Sequence, residues 1–90
     1  MSESNDIQAQ IEELRQQIDE IDRRLVELLN ERARLALRIR ELKPKINRSL
    51  YDPKREQEIF EKLRQVNEGP LFDDNLRAIW EVVLQAMKEL

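Results

Sequence analysis

Arg32 stands where the pattern around it calls for an apolar residue: it lies seven positions after Leu25 and seven before Ile39. A charge on a packing face is costly unless it meets an opposite charge or a ligand. It therefore reads either as a register-setting residue bonded to a carboxylate of another helix or as a ligand-binding cation. Two more cations flank the same face, Arg15 after Leu14 and Lys43 after Leu42. Each alone reads as a solvated flank residue with its stem along apolar surface, but with Arg32 they outline a cationic site. Arg32 and Lys43 are 11 residues apart, roughly 16 Å along a helix axis, so their side chains can lean together over a small dianion. Arg15 is 17 residues from Arg32, roughly 25 Å away, and reaches such a ligand only from an antiparallel second copy of the chain.

A second group comprises Asp52, Arg55 and Glu56. Asp52 precedes Pro53 and reads as an N-cap. Glu56 reads as a first-turn acid favoured by the helix dipole, or as a partner for Arg32. Positions 52, 56, 59, 60 and 63 share a helical face, so Glu56 heads the apolar stripe of Ile59, Phe60 and Leu63. The chain has no Cys and no His, hence no thiol nucleophile, no imidazole base and no Cys/His metal site. A single Gly excludes a glycine-rich phosphate cradle. What remains is a pocket with cations, one or two carboxylates and apolar walls. It has no nucleophile and no metal site, suits a small hydroxylated polyanion, and can act through charge complementarity and conformational restraint, without covalent or acid–base chemistry.

The elements that must hold these residues are helical. Pro44, Pro53, Gly69 and Pro70 divide the 90 residues into three segments, with helices expected at about 5–43, 53–67 and 73–90 of a single domain, 1–90. In the first, Ile7, Ile11, Leu14, Ile18, Ile21, Leu25, Leu28, Leu35, Ile39 and Leu42 form a heptad seam interrupted only at 32. Asn5 or Asp6 can cap its start, and Pro44 marks its end. In the third, Leu76, Ile79, Trp80, Val83, Leu84, Met87 and Leu90 share a face. A first helix of about 38 residues is roughly 55 Å long, against a radius of gyration of about 12 Å for a compact chain of this size. So long a seam needs a partner, and the expected fold is all-α: one very long helix and two shorter ones in an intertwined helical homodimer.

With these residues in place, the sequence resembles the all-helical chorismate mutases. Leu14-Arg15, Ile18-Asp19-Glu20-Ile21-Asp22, Leu28-Leu29-Asn30-Glu31-Arg32, Leu42-Lys43, Tyr51-Asp52-Pro53-Lys54-Arg55-Glu56 and Asn67-Glu68-Gly69-Pro70 carry the likeness, over about residues 8–88. It implies a homodimer with two sites, each built from both chains, that rearranges chorismate to prephenate without a cofactor. It implies that Arg15 of the partner chain and Arg32 hold substrate carboxylates, and that Lys43 donates to the ether oxygen. Asp52 and Glu56 position the ring hydroxyl, Arg55 adds an anion contact, and Ile39, Ile59 and Leu84 wall the pocket. In the last helix the family often has a small hydroxyl residue where Met87 stands, and a Gln or Glu four residues later, a position after Leu90.

Three other functions fit part of this pattern: a relative acting on aminodeoxychorismate or isochorismate, a silent module regulating an aromatic-pathway enzyme, and a plain dimerisation domain. The joint presence of Arg15, Arg32, Lys43, Arg55 and Glu56 disfavours the last. A fusion or complex with another aromatic-pathway enzyme is compatible with each of the others. The net charge of −3 argues against a general nucleic-acid binder. No apolar run is long enough for a transmembrane helix, and the polar, acidic start is unlike a signal peptide, so a cytoplasmic, non-membrane protein is expected.

Overall fold

The computed structural model describes residues 2–46 and 52–90. Their order is α1 (Glu3–Leu42), a 3-10 turn (Lys43–Ile46), α2 (Pro53–Val66) and α3 (Asp73–Lys88), with no strand among the described residues. The architecture is thus all-helical with one long and two shorter helices. No helix among the described residues is long and apolar enough to cross a membrane.

The chain divides into two compact units, Met1–Arg34 and Leu35–Leu90. From Glu3 onward the first is helix. It starts earlier than Asn5 or Asp6 would set it, because the Ser2 hydroxyl accepts from the Asn5 amide at 3.3 Å and serves as the cap. Glu3 and Asp6 complement the dipole in the first turn. Along the helix, Arg23 bridges Glu20 (Nε–Oε2 3.1 Å) and Glu27 (Nη1–Oε1 2.6 Å), one turn to either side.

The second unit holds the end of α1, the 3-10 turn, α2 and α3. The long helix does not stop bluntly at Pro44: it tightens at Lys43 into a 3-10 turn that contains the proline. Proline can occupy the opening positions of a helical turn, where its missing N–H is not required. Asp52 caps α2, its Oδ1 accepting from the Arg55 amide at 3.1 Å, with Pro53 at the first helical position. The connection to α3 is organised by Asn67. Its amide donates to Leu71 O at 3.0 Å and Asp73 Oδ1 at 2.7 Å, and its carbonyl accepts from Gly69 N at 3.1 Å. Gly69 has φ +79°, a conformation open to glycine and strained for side-chain-bearing residues. Here α2 packs on α3, and Leu84 is buried to 8% exposure.

Candidate active site

Three of the expected site residues, Lys43, Asp52 and Glu56, belong to cross-element contacts in the second unit. Lys43, at the first position of the 3-10 turn, has only 19% of its side chain exposed and places Nζ 4.0 Å from Asp52 Oδ2. Asp52 thus has two tasks: one oxygen caps α2 and the other faces the lysine. Glu56 follows one turn later, with its amide donating to Asp52 O at 3.2 Å, and its carboxylate, 25% exposed, meets Lys88 Nζ at 3.3 Å. Opposite charges therefore alternate across three elements: Lys43 before α2, Asp52 and Glu56 at its start, and Lys88 at the end of α3.

The apolar residues divide. Leu84 is buried, Ile59 and Met87 are half-buried, and Ile39 keeps 54% exposure. Met87 continues the α3 face of Val83 and Leu84. Arg55 is exposed and pairs with Glu58 at 3.7 Å. Arg15 is exposed and pairs with Glu12 at 3.5 Å. Arg32 is half-buried on α1. Among the described residues the ion pairs of α1 are Arg15–Glu12, Arg23–Glu20, Arg23–Glu27 and Arg38–Glu41, so Arg32 has no carboxylate partner there. Glu56, one reading of which paired it with Arg32, instead meets Lys88. Tyr51 lies outside the described residues.

Two contributors escape a reading of the sequence, Lys88 and Arg40. Arg40, in the last turn of α1, donates to the backbone oxygens of Lys88, at 3.4 Å, and of Leu90. The only local signal for Arg40 is a basic residue near a helix C-terminus, which says nothing of a contact nearly fifty residues away. A separate groove of about 200 Å³ lies between α2 and α3, lined by Phe60, Glu61, Arg64, Asp73 and Arg77 among others. The Arg77 guanidinium sits 4.1 Å over the Phe60 ring there. The groove contains none of the expected site residues.

The model of the family described as chorismate mutase type II matches residues 14–90, from Leu14 beside Arg15 to the end of the last helix. The chain belongs to the chorismate mutase type II family. Over 79 residues it is 32% identical to a Methanocaldococcus jannaschii protein named chorismate mutase, covering 87% of this chain and 80% of that one. It is also 52% identical over 58 residues to an Aquifex aeolicus bifunctional chorismate mutase/prephenate dehydratase. That match takes in 64% of this chain but only 16% of the longer protein. Among solved structures, a chorismate mutase from Thermus thermophilus superposes with a TM-score of 0.87 at 34% identity, covering 90% of this chain and 92% of that one. The long first helix and the two shorter ones are therefore those of a chorismate mutase type II fold.

Proposed function

We propose that this chain is a chorismate mutase that works as a homodimer, each site taking Arg15 from one chain and Arg32, Lys43, Asp52, Arg55 and Glu56 from the other. The observation that carries the reading is the extent of the family match, residues 14–90, which takes in every one of these side chains. The reaction is intramolecular: the ether C–O bond of chorismate breaks as a C–C bond forms, with no proton, electron or group exchanged with the protein. Catalysis then lies in holding the folded conformer and in meeting the charge that develops on the ether oxygen.

Arg32 and the partner chain's Arg15 bind the two carboxylates. Lys43 donates to the ether oxygen, and its low exposure supports that role, because a shielded cation stabilises a developing oxyanion strongly. Asp52 orients Lys43 and caps the helix that presents Glu56 to the ring hydroxyl. Ile59, Leu84 and Met87 line the apolar side, with Ile39 covered on dimerisation. The homodimer is supported by the seam itself: Ile7, Ile11, Leu14, Ile18, Ile21, Leu25 and Leu28 retain 43% to 57% exposure within one chain. The fused dehydratase in the Aquifex aeolicus relative supports a fused or bound enzyme acting on the product, and we place the reaction in the cytoplasm.

The test is to add chorismate to the purified chain and follow the loss of its ultraviolet absorbance with direct detection of prephenate. Turnover abolished by Lys43→Ala is the expected result. Binding without turnover would favour the regulatory module, and neither binding nor turnover would defeat both.

A further inference from the structure

We propose that Lys88 is a positioning residue for Glu56, and that Arg40 fixes the backbone from which Lys88 reaches it. The proposal rests on the chorismate mutase reading and assigns a task to two residues outside the expected site.

Two carboxylates, Asp52 and Glu56, stand at the start of α2, and one of them faces Lys43. Asp52 and Glu56 lie one turn apart on the same face, about 6 Å between Cβ atoms for residues so spaced. Among the described residues, the cation that pairs with Asp52 is Lys43, at 4.0 Å. A free Glu56 carboxylate has rotatable bonds enough to swing toward that lysine, away from its own acidic neighbour. Lys43 would then have its charge offset by two carboxylates and two of its three N–H donors engaged, which weakens it as a donor to the ether oxygen. Lys88 removes the conflict by holding Glu56 Oε1 at 3.3 Å from the α3 side.

Lys88 can do this only if the end of α3 stays in place. The last carbonyls of a helix have no partners within it, and terminal turns fray. Arg40 supplies a donor there: its guanidinium takes the Lys88 carbonyl at the end of the helix and also the backbone oxygen of Leu90, two residues beyond it. A planar fork suits two acceptors, and a cation is favoured at a helix C-terminus. A chain of contacts thus runs from α1 through the last turn of α3 to the first turn of α2. Lys88 itself is 51% exposed, so its pair with Glu56 adds little stability, and its effect belongs to geometry.

The experiment compares turnover of the full chain and its Lys88→Met, Lys88→Arg, Arg40→Gln, Glu56→Gln and Glu56→Gln/Lys88→Met variants, with melting temperatures for all. Lys88→Met is expected to lower kcat about tenfold with KM changed less than kcat, as for a group that shapes the transition state. Lys88→Arg is expected to recover kcat to within about twofold, and Arg40→Gln to lower it in the same direction, while melting stays within a few degrees. Because Lys88 acts through Glu56, the double variant is expected to be no slower than Glu56→Gln alone. An unchanged kcat in Lys88→Met, or losses that add in the double variant, would overturn the proposal. A parent chain without chorismate turnover would defeat the mutase reading itself, before any variant is compared.

Discussion

The two units handle their apolar side chains differently. In Leu35–Leu90, α2 and α3 meet, Leu84 is buried, and contacts run between elements: Lys43 to Asp52, Lys88 to Glu56, Arg40 to the end of α3. In Met1–Arg34 the helix is stapled by short-range pairs such as Arg23 with Glu20 and Glu27, and its apolar seam stays open. One unit makes its own small core; the other carries a surface that, in the proposed homodimer, another chain covers. The difference matches the proposed division of labour. The self-packed unit sets the fine geometry around Lys43 and Glu56, and the open seam brings Arg15 to a second chain.

The largest effect should come from charging the seam. Ile18→Asp would place a carboxylate on the face that both chains of the proposed homodimer bury, twice per symmetric dimer. A cost of about 3 kcal/mol or more per chain is expected. Sedimentation should then give a mass near the 10.9 kDa of one chain, with a reduced helical circular-dichroism signal. A variant still sedimenting at twice that mass would show that the seam is not the interface.

Arg32→Leu probes the same face with the opposite sign for stability. Leucine continues the seam, so the melting temperature should hold or rise. Turnover should fall by about a hundredfold or more, as when a preorganised donor is removed. Unchanged turnover would return Arg32 to a structural role.

Asp52→Ala should cost about 1 kcal/mol through loss of the α2 cap, a fall of roughly 4–8 °C in a chain of this size. Arg55→Ala, which leaves that cap in place, should melt close to the parent. Equal melting of the parent and Asp52→Ala would show that the cap contributes nothing to stability.

The smallest effect lies in the open unit. The hydrogen bond from Arg23 holds the Glu20 carboxyl below its ordinary value of 4.5. Its contribution to stability is therefore full above that value and is lost as pH falls through the lower value of the folded state. Melting curves of the parent and Glu20→Gln should differ slightly near neutrality and converge in acid. Because the pair is exposed to solvent, salt should shrink the difference as well.

Much of this comparison is legible in the residues. The heptad seam marks the long helix, Asp52-Pro53 the start of α2, and Asn67-Glu68-Gly69-Pro70 its end, because each is a local signal with a local cause. Ser2 does not stand out as a cap, since Asn5 and Asp6 are equally good ones and only the backbone decides among them. The passage of the chain through Pro44 as a 3-10 turn depends on where α1 tightens, which periodicity does not specify. Of the site, Arg32 declares itself by breaking the seam. Lys88 and Arg40 do not, because their partners are distant in sequence and their own helical positions look like ordinary solvent-facing ones.

In the proposed homodimer the open unit of one chain completes the site held by the packed unit of another. Mixing an Arg15→Ala chain with a Lys43→Ala chain, each nearly inactive alone, tests this directly. In a mixed dimer one site carries both lesions and the other carries neither, so each heterodimer should recover about half the activity of a parent dimer. No recovery, with chain exchange verified by the mass of the mixed dimer, would contradict a site shared between chains.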